Sequence, residues 1–311
     1  MTNRTLGAGL WAISCYFNPC RYRRRLANYH EFRRRLTAPL VCVELSFDGR
    51  FELGADDADV LIKVKGGAVL WQKERLLNIA WRHVPLSCRK IAWLDCDVFF
   101  ASDDWIEGTQ ALLDDFPVVQ PFSQVAELRR ETRVERTPPL EECGLGYSIL
   151  RSSAAPAEDL LASNMRLART HSGLAWAAHR DAFDGLGFYD SCIVGSGNRA
   201  MFCAQIDKCE QAVKYLRMTP RWADHYRSWA DRHFRRVNGK VGHLDMRLYH
   251  LWHGDLENRR YAERHEDFSQ YAFDPERDIG TEEGGPWKWT SRKRPMHDFV
   301  CQYLKGRRED G

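Results

Sequence analysis

The sequence predicts an α/β fold: a mainly parallel central sheet flanked by helices, with a long insertion and a helical C-terminal extension. Three observations carry this. Short apolar runs of strand length alternate with stretches of helical period through the first third of the 311 residues. Their order is strand, helix, strand, strand, helix, strand, which is that of crossover units with parallel strands. One run, Ile91-Ala-Trp-Leu94, is apolar at every position, as expected of a strand covered on both faces.

In order, Leu10 to Phe17 reads as the first strand, broken by Asn18-Pro19. Arg21 to Leu36 reads as a helix with Leu26, Tyr29, Phe32, Arg33 and Leu36 roughly on one side, and seven arginines fall between positions 21 and 35. Such a run is either a solvated face or a cationic wall beside an anionic ligand or an acidic membrane surface. Leu40 to Leu45 is a second strand, followed by the turn signal Phe47-Asp-Gly-Arg50, and Val60 to Val64 is a third. Gly66-Gly67 opens into a helix over Leu70 to Val84, with Leu70, Leu77, Trp81 and Val84 as its buried stripe. Its other face carries Gln72, Lys73, Arg75 and Asn78, and Pro85 ends it.

After the strand Ile91 to Leu94, Trp105 to Asp114 is a short helix and Pro117 to Phe122 a strand. Periodicity is lost from Ser123 to His171, which predicts a long, mobile insertion over one side of the site. Gly173 to Ala178 is a strand and Arg180 to Leu186 a helix; Ile193-Val-Gly-Ser-Gly-Asn198 is a glycine-rich loop before another helix. That loop lacks the spacing and the strand–helix frame of a dinucleotide fingerprint.

Hydrophobic residues make up 44% and charged residues 29%, an ordinary soluble composition. A net charge of +3 does not call for a nucleic-acid partner, and no run of 18 apolar residues predicts a membrane span. Leu6 to Tyr16 has the apolar character of a short signal core but runs into Asn18-Pro19 without a small-residue cleavage site, so it reads as a strand. The ten cysteines are scattered with no CxxC pair, which argues against a cysteine zinc site and for a reducing compartment. The expected location is the cytoplasm, with the Arg21–Arg35 helix as the candidate for peripheral membrane contact. The 11 Trp and 12% aromatics suit sugar-stacking surfaces as well as an aromatic core.

The chemistry concentrates where the apolar run ends. Asp95 and Asp97 flank Cys96, and in an extended chain residues i and i+2 point the same way, so both carboxylates face one spot. Two desolvated carboxylates need a cation, and Mg2+ or Mn2+ suits oxygen ligands. The plainer reading is an Asp that caps a turn. Later, Leu248-Tyr-His-Leu-Trp-His-Gly254 presents His250 and His253. As a strand or tight turn these two would diverge, so that one of them faces the site.

The stretches AISCYFNP, LLNIAWRHVP before IAWLDCDVFF, GLAWAAHRDAFDGLGFYD, IVGSGN and HLWHG together resemble glycosyltransferases of the GT-A fold. GFYDSCIVGSGN is similar to the acceptor and catalytic segment of galactosyltransferase-type and GalNAc-transferase-type enzymes, and the tail FDPERDI…WKW…YLKGRREDG to the ends of bacterial and viral members.

The resemblance implies a single GT-A domain. A nucleotide-binding half would span about 8–122, the insertion about 123–171, an acceptor and catalytic half about 172–256 and the extension about 257–311. It further implies that Asp95 and Asp97, completed by His253 or else His250, hold Mn2+ or Mg2+ on the diphosphate of a nucleotide sugar, a UDP-sugar first. Asn18, Arg25 and Asp48 would meet the base and ribose, Lys73 and Asn78 would face the donor, and Gly173 and Trp176 would flank the acceptor, a hydroxyl on a glycan, lipid or protein.

One position departs from the pattern: where relatives carry an acid near the end of GFYD…GSGN, this chain has Asn198. An amide cannot take a proton at neutral pH. Either Asp190 serves as base, or the transfer retains configuration, or the chain is inactive. A nucleotidyltransferase and a catalytically dead nucleotide-sugar-binding module are the rival readings.

Overall fold

The computed structural model describes residues 9–132, 134–151, 169–261 and 263–311. Its core is a seven-stranded sheet built mostly from the first third of the chain. Strands β1 (Leu10–Phe17), β2 (Leu40–Ser46), β3 (Val60–Lys65) and β4 (Lys90–Leu94) are parallel, with β1 between β4 and β2 and with β3 beyond β2. Helices α1 (Arg23–Arg35) and α2 (Lys73–Trp81) connect them.

The apolar runs are continuous because both faces of these strands are covered. Trp11, Ile13, Cys15, Val41, Val43, Ile91 and Trp93 enter one core layer, while Leu10, Ala12, Tyr16, Leu40, Cys42, Ala92 and Leu94 enter another. That is the period of two of a strand, with apolar residues on both sides.

Past β4 the chain turns at residues 95–97 and resumes as β5 (Val98–Phe100), which belongs to a second sheet. After α3 (Trp105–Asp115), the strand β6 (Val118–Gln120) returns to the main sheet. The segment expected to be an irregular insertion carries β7 (Gln124–Glu127), β8 (Gly144–Ser148) and β9 (Thr170–His171) among its described residues. These strands are only two to five residues long, and β7 also pairs with Arg247–His250, about 120 residues further along the chain, so no local period announces them. Residues 152–168, which include the small-residue run Ser152 to Pro156, lie outside the described residues.

Strand β10 (Ala175–His179) pairs antiparallel with β4 and β6. The helix expected over Arg180 to Leu186 is only a single 3-10 turn at Arg180–Ala182, since Gly185 and Gly187 take φ of +68° and +72° and turn the chain away. Helices α4 (Gly197–Gln205), α5 (Cys209–Tyr215) and α6 (Pro220–Val237) follow. The last begins on Thr219, whose hydroxyl accepts from the Trp222 N–H, with Pro220 at its first position, and it buries Trp222, Tyr226, Trp229 and His233 along one stripe.

Strand β11 (Val241–His243) edges the main sheet beside β6, and β12 (Arg247–His250) sits between β5 and β7, giving the second sheet the order β5-β12-β7-β8-β9. The extension holds α7 (Glu263–Ser269), α8 (Pro275–Asp278), the short pair β13 (Ile279–Gly280) and β14 (Lys288–Trp289), and α9 (Arg294–Lys305). Among the described residues no helix is long and apolar enough to cross a membrane.

The arginine-rich α1 is tied down from within. Arg33 pairs with Asp59, Arg34 and Arg35 with Glu31, and Arg25 with Glu309, while Arg35 also lies 4.1 Å from the Phe99 ring centroid.

Candidate active site

A cavity of about 610 Å³ opens where the main sheet gives way to the second sheet. The junction is the turn at Asp95–Asp97. The Asp95 N–H donates to the Leu174 carbonyl at 2.8 Å, and the Leu251 N–H donates to the Asp97 carbonyl at 2.8 Å. Strand pairing sets His250 opposite Val98, so the register of β5 on β12 delivers an imidazole beside Asp97.

The segment after β12 then curls at Gly254, whose φ is +91°. A Cβ at that position would stand 2.9 Å from the Arg308 carbonyl oxygen and 3.0 Å from that of Arg307, so only glycine lets the C-terminal segment run past. The close approach brings Arg307 and Glu309 into the cavity wall.

Asp97, His250 and His253 form a compact cluster whose ligand atoms lie within 4.8 Å of one another. The two histidine Nε2 atoms are 3.1 Å apart, and His253 Nε2 is 3.2 Å from Asp97 Oδ2. The histidines therefore converge rather than diverge, because the turn after His250 folds His253 back onto it. Both are neutral: burial and then the guanidinium of Arg259 push His250 down to about 3 and His253 well below the ordinary imidazole value. Burial, and then the neighbouring Asp95, pushes Asp97 up to about 7. Its Oδ1 is buried and has no hydrogen-bond partner.

Asp95 lines the same cavity with a different companion. Its carboxylate holds the buried ammonium of Lys73, from the start of α2. The expectation that both carboxylates point at one spot assumed an extended chain; the turn at 95–97 separates their partners instead. Beside the cluster, the Glu127 carboxylate is 3.1 Å from His171 Nε2, and the hydrogen bond from His171 is the first reason that Glu127 is held down to about 2.

Cationic groups complete the wall. Arg259, only 6% exposed, donates to the Tyr261 hydroxyl at 3.1 Å. Arg264 donates to Ser196 Oγ at 2.6 Å, and Arg307 lies 5.0 Å from the Trp71 ring centroid while bonding Glu309 at 2.7 Å. Glu309 also receives Arg25; burial works against its charge, but Arg25 and Arg307 hold it down to about 2.

Of the residues expected from the sequence, Arg25, Lys73, Asp95, Asp97, Gly173, Asn198, His250 and His253 line this cavity. Five others lie elsewhere. Asn18 is buried in a network with the Tyr16 hydroxyl, the Tyr22 backbone and Glu52. Asp48 closes its own turn, binding Arg50 and Arg21. Trp176 is a core residue, stacked on Trp93 at 6.3 Å between centroids. Asn78 braces the Phe188 backbone and Asp190, and Asp190 itself lines a second recess of about 840 Å³ with Arg75 and His225. The segment around Asp190 is irregular, with Gly185 and Gly187 at positive φ.

Sequence reasoning missed Glu74, Glu127, His171, Arg259, Arg264, Arg307 and Glu309. The charged pair Lys73-Glu74 just after the Gly66-Gly67 signal could have drawn notice; no local pattern marks the others.

No protein-family profile matches the chain, and no curated protein matches it. Among solved structures, TarS residues 1–349 of S. aureus in complex with UDP-GlcNAc is similar at 8% identity over 78% of this chain, with a TM-score of 0.38. This chain spans 58% of the length of that structure. The mannosyltransferase PcManGT from Pyrobaculum calidifontis, in complex with GDP-Man and Mn2+, matches 94% of this chain and 69% of its own at 13% identity and a TM-score of 0.39. The catalytic domain of Drosophila β1,4-galactosyltransferase 7, in complex with xylobiose, matches 93% of this chain and 98% of its own at 10% identity and a TM-score of 0.36. Likenesses this distant leave the activity to be read from the side chains of the cavity.

Proposed function

We propose that this chain is a metal-dependent glycosyltransferase that moves a sugar from a nucleotide-diphosphate donor, a UDP-sugar first among candidates, to an acceptor hydroxyl on a glycan, lipid or protein. The observation that carries the reading is the buried, unpartnered Asp97 Oδ1 beside two neutral imidazoles, in a cavity also lined by Arg259, Arg264 and Arg307. A buried carboxylate oxygen left without a partner is costly in a molecule with no use for it.

One carboxylate and two imidazoles fit Mn2+ better than the harder Mg2+, which takes oxygen ligands; Asp97, His250 and His253 are the residues that would hold the ion, with Asp95 two positions away. When bound, such an ion supplies Lewis-acid stabilisation of negative charge on a leaving diphosphate. The chain's own cations serve the same anion. Arg259 is buried and its charge is felt by Asp97, His250 and His253 alike, which supports a role as a fixed positive group toward the phosphate oxygens of the donor. Trp71, Phe17 and Tyr215 offer ring surfaces on the cavity wall for a base or sugar. The volume lies within the range of roughly 300–1,000 Å³ usual for small-molecule sites.

The test is incubation with a panel of nucleotide sugars and Mn2+, following free sugar and nucleoside diphosphate. Slow hydrolysis of one donor, abolished by EDTA, is the expected result. Release of pyrophosphate from a nucleoside triphosphate plus a sugar phosphate would replace the reading with a nucleotidyltransferase. Mn2+-dependent nucleotide binding without any turnover would make the chain a binding module.

A further inference from the structure

We propose that Glu74 is the catalytic base of this site, the group that takes the proton of the incoming hydroxyl, an inference that rests on the glycosyl-transfer reading. An inverting transfer needs a base at the acceptor oxygen. Neither residue suggested by the sequence can act in the cavity: Asn198 lines it but carries an amide, and Asp190 sits in the other recess, bound to Asn78 and Arg75.

The remaining acids of the cavity wall are committed, with one further exception. Asp95 holds Lys73, Asp97 faces the histidines, Glu127 holds His171, and Glu309 holds Arg25 and Arg307. Glu263 is exposed to solvent. Glu74 differs from all of these. It is 2% exposed, lines the cavity from the first turn of α2, and its carboxyl makes no side-chain hydrogen bond or ion pair among the described residues.

Space has been made for it at the loop before α4. A Cβ on Gly197 would lie 2.3 Å from Glu74 Oε1 and 2.4 Å from its Cδ, so any side chain there would displace the carboxyl. Glu74 thereby stands against the residue next to Asn198, supplying a carboxyl beside the place where the chain itself offers only an amide. The groups around it keep it able to accept a proton at neutral pH. Burial, first, pushes Glu74 up to about 7; Lys73 opposes this, Asp95 and Asp190 add to it, and the nearby Cys15 and Cys192 thiols are themselves pushed up by burial.

In the step, the acceptor O–H gives its proton to a Glu74 carboxylate oxygen while the acceptor oxygen bonds the anomeric carbon. The bond from that carbon to the diphosphate oxygen breaks, and its electron pair leaves with the nucleoside diphosphate. Glu74 later returns the proton to solvent. Water in place of the acceptor gives donor hydrolysis by the same route.

Glu74→Gln and Glu74→Asp, assayed on the nucleotide sugar that wild type hydrolyses, decide the matter, with Mn2+–nucleoside diphosphate affinity measured alongside. Glu74→Gln should lower kcat for hydrolysis by on the order of 10²–10⁴-fold with affinity unchanged. Glu74→Asp, which keeps a carboxyl, should recover part of the loss, and NMR of the released sugar should show inversion at the anomeric carbon. Wild-type turnover in Glu74→Gln, loss of nucleotide affinity in step with kcat, or retained configuration would each overturn the assignment while leaving glycosyl transfer standing. A wild-type protein that binds Mn2+ and nucleotide sugars not at all would instead overturn the transfer reading, and the role of Glu74 with it.

Discussion

The two recesses hold half-buried aspartates of opposite kinds. Asp190 is satisfied: its Oδ2 accepts from Asn78 at 2.9 Å and faces Arg75 Nη1 at 3.4 Å. Asp97 is not, with one oxygen buried and unpartnered and the other turned to a histidine. Both are raised by burial, Asp97 to about 7 and Asp190 above its ordinary value despite Arg75. A shifted pKa alone therefore does not separate the two acids; unmet bonding capacity does. The paired carboxylate holds segments 75–78 and 187–190 together, while the unpaired one has capacity left for something that is not protein.

The sharpest way to break this comparison is to neutralise each acid in turn. Asp97→Asn should remove Mn2+-dependent nucleotide binding and lower turnover by on the order of 10³-fold, since a metal ion contributes several kcal/mol at the transition state. Calorimetric titration with Mn2+ and UDP measures the binding. The urea midpoint of the metal-free variant should hold or rise, because a desolvated carboxylate is gone. A variant that binds Mn2+–UDP like wild type would erase the distinction.

A third buried group sharpens it from the side of stability. His233 lies among Trp229 and Phe183, lines neither recess itself, and burial holds it down to about 4. With its folded pKa below the ordinary 6.5, the unfolded chain binds more protons between those values. The stability is therefore complete above pH 6.5 and is lost as pH falls toward 4, by on the order of 3 kcal/mol. His233→Phe should shrink the difference between urea midpoints at pH 7 and pH 4 relative to wild type. Mn2+ should not alter the His233 contribution, whereas it should oppose protonation of His250 and His253.

The smallest expected effect is at Asp190. Asp190→Asn should cost about 1–2 kcal/mol, because Arg75 loses its charged partner while Asn78 keeps an acceptor. Nucleotide-sugar hydrolysis should stay at the wild-type rate. Chemical denaturation and the hydrolysis assay run on one preparation report both numbers. A collapse of turnover with stability intact would return Asp190 to the reaction.

The sequence by itself determined most of the main sheet and one end of the cavity. Strands β1 to β4 and helices α1 and α2 were legible because each is a local pattern: an apolar run covered on both faces, or a stripe of helical period. Asp95 and Asp97 were legible for the same reason, as charges closing a buried run.

Only the tertiary structure decided what those carboxylates meet. Asp97 finds His250 through the pairing of β5 with β12, about 150 residues apart in the chain, and Asp95 finds Lys73 because the turn at 95–97 parts the two acids. Arg307 and Glu309 reach the wall because Gly254 lets the tail pass, and Glu74 has room because residue 197 lacks a side chain. A local period records which face of an element is buried. It does not record which distant element covers that face, and this site is built where distant elements meet.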